Sequence, residues 1–334
     1  MNVLVTGSAG FIGSQVARRL LEQGHAVVGL DNFVPYYPAV LKEKRTEFLQ
    51  NFPQFTSYRR DLTDYDFLCD VIADHDVEVV CNLAAQAGVR YSIQKPFEYQ
   101  KANLEGFLNV LEAARHNGVR RVVYASSSSV YGGNTKLPFA ESDVVNNPVS
   151  LYAATKAANE LMAHSYTHLY KLETVGLRFF TVYGPWGRPD MALWLFTEAM
   201  LRGLPIKVFN GGDMKRDFTY IDDIVQGVLG SIFNTTLDPY EIFNLGNHQC
   251  ENLMDMIGEL SRALGIEPKM EMLPMQAGDV PATYADISKA QAKLGFAPST
   301  PIQVGIPAFV EWYRQHPELT EQIWQEKQLA QLKG

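Results

Sequence analysis

Apolar runs recur through the first half of the chain, each bounded by glycine or a polar cluster and separated from the next by a longer, mixed stretch. The runs predict strands over 2–6, 26–30, 77–81, 120–125 and 173–179. The stretches between them repeat apolar positions every three to four residues and predict helices over 11–23, 39–50, 64–74, 99–116 and 152–170. Strands without polar alternation are buried on both faces, which requires a parallel sheet covered by helices. The alternation gives an α/β fold, a Rossmann-type doubly wound parallel sheet.

Beyond residue 184 the pattern changes. Proline and glycine become frequent, as in Gly184-Pro185-Trp186-Gly187 and Asn210-Gly211-Gly212, and irregular connections separate helices over 191–202, 252–264 and 302–315. The strand-like Ile242–Leu245 is expected to return to the main sheet. The expected division is a larger domain over 1–184 with a return near 219–248, and a smaller C-terminal substrate-binding domain over 185–218 and 249–334. A cleft should lie between them.

With 334 residues, 46% of them hydrophobic, the chain has ample material for such a core. Its net charge of -8 argues against a nonspecific nucleic-acid partner. No run approaches the roughly 18 apolar residues of a membrane span. The start, Met1-Asn2-Val3-Leu4-Val5-Thr6, lacks a basic-then-apolar secretory pattern. A cytoplasmic protein with no membrane partner is therefore expected. Cys69, Cys81 and Cys250 form no CxxC pair, and His164 and His168 share a helix face without the glutamate of HExxH or a third ligand. No metal is expected.

Strand 2–6 runs directly into Gly7-Ser8-Ala9-Gly10-Phe11-Ile12-Gly13, a GxxGxxG turn that opens a helix. Glycines there allow close backbone approach to a pyrophosphate, and the helix N-terminus offers free N–H groups and a positive dipole end. An acid, Asp31, ends the next strand. A carboxylate at that position accepts hydrogen bonds from both ribose hydroxyls and repels a 2′-phosphate, which favours NAD over NADP. No arginine adjoins Asp31 in sequence to reverse this. Asp61 and Leu62, after another short strand, either contact the adenine ring or serve as a helix cap and a core residue.

Tyr152-Ala153-Ala154-Thr155-Lys156 sets a phenol and an ammonium on one helix face. A phenol ionises near pH 10 and needs a nearby positive charge to act as a base at neutral pH, and Lys156 is placed to supply it. Tyr91 and Lys95 have the same spacing, but Pro96 follows at once and disfavours helix there. The serine run Ser126-Ser127-Ser128-Ser129 follows a buried strand, at the end where such sheets bind ligands. One of its hydroxyls is expected to be catalytic and another to cap or close a turn.

Together Gly7–Gly13, Asp31, Asn82-Leu83-Ala84-Ala85, the serine run and the Tyr152/Lys156 pair resemble the extended short-chain dehydrogenase/reductases over nearly the whole chain. Within that family, the stretch from Leu177 to Ala192, the pair Asp31-Asn32 followed by Tyr36-Tyr37, and the stretch from Ala84 to Ser92 resemble the UDP-glucuronate 4-epimerases. The resemblance implies Ser127 as the catalytic hydroxyl beside Tyr152. It adds Asn32, Leu83, Ala84 and Ala85 to the NAD contacts. Ser128 and Thr181 would hold the sugar carboxylate. Arg188 would bind that carboxylate or close the pocket, unless it forms a surface ion pair. Lys207-Val208-Phe209 resembles the uracil-binding strand, Arg216 the diphosphate arginine and Asp279 the acid near the uridine ribose. Arg90 would reach the substrate or play a structural part.

The implied reaction is redox-neutral C4 epimerisation of a UDP-uronic acid, with NAD retained between turnovers. Decarboxylation of UDP-glucuronate and epimerisation of UDP-glucose are the alternatives within the fold, and a non-catalytic NAD or nucleotide-sugar sensor is the alternative outside catalysis. The positions after Ser127 are serines, not acids, which weighs against the decarboxylases and dehydratases. A homodimer paired through the helices over 99–116 and 152–170 is implied by the same resemblance.

Overall fold

The computed structural model describes residues 1–276 and 278–333. In its first half, β1 (Asn2–Thr6), β2 (Ala26–Asp31), β3 (Phe55–Arg59), β4 (Val79–Asn82), β5 (Arg121–Ser127) and β6 (Glu173–Phe179) are interleaved with helices. These are α1 (Phe11–Glu22), α2 (Ala39–Leu49), α3 (Tyr65–Asp74), α4 (Val89–Gln94), α5 (Pro96–Tyr99), α6 (Gly106–His116) and α7 (Leu151–Tyr170). Then follow β7 (Thr181–Tyr183), α8 (Ala192–Leu201), β8 (Ile206–Phe209), β9 (Lys215–Arg216), β10 (Phe218–Tyr220), α9 (Ile221–Phe233) and β11 (Tyr240–Leu245). The chain ends with β12 (Glu251–Asn252), α10 (Leu253–Leu264), β13 (Met270–Leu273), α11 (Ser288–Leu294), α12 (Ile302–Gln315) and α13 (Pro317–Lys333).

Seven strands form one parallel sheet in the order β11-β6-β5-β4-β1-β2-β3. Successive strand residues face opposite sides. Val3 and Val5 accordingly enter one buried core while Leu4 enters another on the opposite face. Because β1 lies between β2 and β4, the connections leaving β1 and β4 diverge, and a crevice opens at the carboxyl ends of these two strands.

A separate core gathers Trp194, Met256, Leu260, Ile306, Phe309 and Trp312 from α8, α10 and α12. Leu319 and Ile323 of α13 join it. Strand β11 pairs with β6, so the chain does return to the main sheet. Residues 285–296 also pack there: Ala285, Ile287, Ala290 and Phe296 belong to the core that holds Val3 and Val5. Helix α9 has no counterpart in the expected elements, because Ile221, Ile224, Val225, Val228 and Ile232 bury more than one face and blur its period.

Local rules fix the helix ends near the crevice. The Ser150 hydroxyl caps α7 by accepting from the Ala153 N–H at 3.1 Å. Helix does form across Tyr91, against the expectation from Pro96, but it stops at Lys95, whose φ of -130° has left the helical region that a following proline disfavours. Residues 99–116 are not one regular helix. A π-helical stretch, Gln100–Glu105, separates α5 from α6. Its Asn103 exchanges hydrogen bonds with the Gln86 backbone at 2.8 and 3.0 Å and donates to the Thr155 hydroxyl at 3.0 Å. This pins α7 to the loop after β4, a common use of such a bulge.

Candidate active site

A cleft of about 890 Å³ opens over the carboxyl ends of β1 and β4. Gly7, Gly10, Phe11, Ile12 and Gly13 form one wall, and Asp31, Asn32, Asp61 and Leu62 lie at one end. Leu83, Ala84, Ala85, Ser127, Tyr152, Lys156 and Arg188 complete it. Gly7 adopts φ +69°, and a Cβ there would stand 2.7 Å from the Ala84 nitrogen. A Cβ on Gly13 would meet the Gly7 carbonyl oxygen at 2.1 Å. Only glycine fits this cradle. No side chain caps α1, so its first N–H groups remain free for an anion.

Asp31 is 6% exposed and accepts hydrogen bonds from the Ala9 and Phe33 N–H groups at 3.2 and 2.7 Å. The ammonium of Lys42, equally buried, lies 3.5 Å from it. Nothing in the charged run Lys42-Glu43-Lys44-Arg45 singles this lysine out, because its burial depends on how α2 leans on the glycine turn. Asp61 accepts from Asn32 Nδ2 at 2.8 Å and from the Thr63 N–H and hydroxyl. Burial opposes ionisation, but these hydrogen bonds hold its carboxyl below the ordinary value. The cap of α3 is Asp64, which accepts from the Phe67 N–H, so Asp61 faces the cleft with both oxygens engaged. Leu62 is buried in the core and lines the cleft as well.

Lys156 is 3% exposed and donates to the Ala125 carbonyl at 2.8 Å. Burial lowers its pKa to about 8. Burial raises the Tyr152 phenol, while the Ser127 hydroxyl and the Arg188 charge pull it back down. Ser127 accepts from the Ser129 N–H at 3.2 Å, which leaves its own O–H free to donate. The structural hydroxyl of the run is Ser126. It donates to buried Glu160 at 2.6 Å, and Glu160 accepts from Nε and Nη2 of Arg178.

Arg188 forks onto Asp190, with Nε to Oδ1 at 3.0 Å and Nη2 to Oδ2 at 2.5 Å. The Tyr36 hydroxyl donates to the same carboxylate at 3.0 Å. Burial opposes the Arg188 charge, but Asp190 raises its pKa further above the ordinary guanidinium value. Ser128 and Thr181 do not line the cleft wall. Both are half-buried, next to Ser127 and between Phe180 and Val182, which do line it.

Four further residues, none of which lines this cleft, are drawn together. Arg90 pairs with Asp279 at 3.2 Å and stacks over the Phe209 ring at 5.1 Å. Arg216 donates to the Pro281 carbonyl at 3.2 Å, two residues beyond Asp279. Val208 is fully buried in the second core, so its backbone alone is available, while Lys207 is exposed. Among the described residues, strand β8 pairs with β13 on one edge only. Tyr91, the alternative partner of Lys95, packs instead against the rings of Tyr36 and Tyr99.

The pattern of the NAD dependent epimerase/dehydratase family matches residues 3–246. The chain belongs to this family. It is 47% identical to Protein CapI of Staphylococcus aureus, with 95% of this chain and 99% of that one covered. It is 45% identical to the probable UDP-glucuronate 4-epimerase of Rhizobium meliloti, with 95% and 98% covered. The UDP-glucuronic acid 4-epimerase of Bacillus cereus, solved in complex with UDP-glucuronic acid and NAD, superposes with a TM-score of 0.89 at 35% identity, covering 94% of this chain and 99% of that one. In this epimerase/dehydratase chain the glycine cradle, the free α1 terminus and Asp31 suit the pyrophosphate and ribose of NAD.

Proposed function

We propose that the protein is a UDP-glucuronate 4-epimerase that retains NAD, with Tyr152 as its base. The observation that carries this reading is the meeting of Ser127, Tyr152, Lys156 and Arg188 in the same cleft as the glycine cradle. When bound, NAD accepts hydride from the sugar C4 and gives it back. Tyr152 takes the proton from O4 and later returns it, and the free O–H of Ser127 donates to the same oxygen. An ionised Tyr152 is the counter-charge that buried Lys156 lacks, so each group favours the charged form of the other.

Anchoring and turning are divided between two regions. Phe209, the open edge of β8 and Lys207 suit a uracil ring, Arg216 a diphosphate, and Asp279 with Arg90 a ribose. The sugar lies toward Tyr152 with fewer fixed contacts, so it can rotate while the nucleotide stays held. The 4-keto form of a uronic acid is a β-keto acid and loses CO₂ when its carboxylate stands perpendicular to the ketone. Ser128, Thr181 and Arg188 are the groups proposed to prevent this. The smaller domain is taken as 185–218 with 249–334, apart from the part of it that packs on the main sheet.

A homodimer is proposed through α6 and α7, which leave Leu108, Leu161 and Leu169 exposed. Among the described residues no helix is long and apolar enough to cross a membrane. The cytoplasm, where nucleotide sugars are made, is the proposed compartment. The deciding experiment incubates purified protein with UDP-glucuronate and no added NAD. UDP-galacturonate is expected, and CO₂ with a UDP-pentose would reject the epimerase in favour of the decarboxylase.

A further inference from the structure

Arg45 joins the two halves of the site. It is 2% exposed, on α2, and does not itself line the cleft, although Tyr37, to which it donates, does. Its Nη1 donates to the Ala9 carbonyl at 3.0 Å and to the Tyr37 hydroxyl at 2.8 Å. Its Nη2 donates to the carbonyls of Trp186 at 2.5 Å and Gly187 at 3.2 Å. Ala9 belongs to the glycine turn, and its N–H is already bound by Asp31. Trp186 and Gly187 immediately precede Arg188. Trp186 holds φ +62°, a left-handed backbone that a residue with a side chain seldom adopts. Its ring is held by Trp312 and His316, with centroids 5.1 Å away in each case. The carbonyls of this turn have their partner in the fork of Arg45, a planar group suited to reaching two acceptors at once.

We propose that Arg45 is a positioning residue that couples the cofactor turn to the arm carrying Arg188. A shift of the Ala9 peptide is passed by one rigid guanidinium to the Trp186–Gly187 peptides, and a shift of the arm is passed back. The retention of NAD and the placement of the arm on the sugar are then linked, and linkage of this kind acts equally in both directions. The UDP subsite of Arg90, Phe209, Arg216 and Asp279 is held by other contacts and stands outside the link.

This inference rests on the proposed epimerase reading. Wild-type turnover of UDP-glucuronate tests that reading, and comparison with variants tests the link. NAD-loaded wild type, Arg45→Met and Arg45→Lys are compared for kcat, NAD release rate, UDP affinity and thermal unfolding. In Arg45→Met, kcat is expected to fall at least tenfold and NAD to leave at least tenfold faster, with the Kd for UDP within threefold. Arg45→Lys, which keeps the charge but not the fork, should fall between. The proposal is overturned if kcat and NAD release both stay within threefold, if one moves without the other, or if UDP binding is lost in parallel in both variants. Unfolding of Arg45→Met during preparation leaves Arg45→Lys to decide by the same criteria.

Discussion

The carboxylate of Asp190 fills the fork of Arg188, with both oxygens hydrogen-bonded at 3.0 and 2.5 Å. A sugar carboxylate approaching Arg188 must therefore compete with a carboxylate the protein already supplies. Under the proposed function, such a resident competitor would weaken binding of the ground state and leave the sugar free to turn. Asp190→Asn keeps an acceptor for Tyr36 but removes the competing charge. KM for UDP-glucuronate should drop about threefold to tenfold, with a slower kcat, while UDP-glucose binding stays unchanged. An unaltered preference between the two sugars would remove Arg188 from carboxylate recognition.

Removing the hydroxyl isolates the proton-transfer role proposed for Tyr152. Tyr152→Phe keeps the ring, which packs edge-on against Tyr99 at 6.1 Å, so the cleft should hold its shape. Turnover should fall roughly a thousandfold, within the usual range for removal of a general base. Calorimetric affinity for UDP should stay within threefold. Near-normal turnover would sink the assignment.

Lys156 is predicted to weaken the fold of the NAD-free protein near neutrality. Its folded pKa of about 8 lies below the ordinary 10.5. Below pH 8 both folded and unfolded chains are protonated, and the folded one bears the full cost of a buried charge, about 3 kcal/mol. Between pH 8 and 10.5 the unfolded chain binds more protons than the folded, so stability rises with pH and the cost fades. Lys156→Met removes that cost but also the bond to Ala125, worth about 1 kcal/mol. At pH 7 the variant should be more stable than wild type in urea by about 2 kcal/mol, and by pH 10.5 the order should reverse, because the cost is gone while the bond to Ala125, worth about 1 kcal/mol, is still missing. A gap that does not change with pH would place the lysine at its ordinary value.

The parts of this architecture that depend on short-range pattern were legible in the chain. Gly7 to Gly13, Asp31, Tyr152 and Lys156 declare themselves because glycine at a strand end and an i, i+4 pair are local signals. Residues whose role depends on the meeting of distant segments gave no such sign. Lys42 and Arg45 look like any cationic helix face, yet both are buried against the glycine turn. Asp190 is two residues from Arg188, but Tyr36, which shares its carboxylate, comes from far earlier in the chain. The π-helical stretch around Asn103 is a change of hydrogen-bond register inside a continuous apolar period, so the pattern predicts an unbroken helix there. Residues 285–296 lie in a proline- and glycine-rich region that resembles the smaller domain, and it is burial of Phe296 beside α9 that draws them to the main sheet.

The serine run carries the last prediction. Ser128 begins a short turn just beyond Ser127, and Thr181 opens β7 between two residues of the cleft wall. If their hydroxyls hold the sugar carboxylate near the plane of the 4-keto group, removing both should let it turn upright. Loss of CO₂ would then compete with return of the hydride to C4. A hydrogen bond from each hydroxyl to a charged group is worth roughly 1.5–3 kcal/mol, so the double variant Ser128→Ala/Thr181→Ala should shift the partition between the two outcomes by roughly a hundredfold or more. The product ratio of UDP-pentose to UDP-galacturonate, read by chromatography, measures this directly and does not depend on how far overall activity falls. A ratio identical to that of wild type would mean that the carboxylate is held elsewhere, with Arg188 the remaining candidate in the cleft.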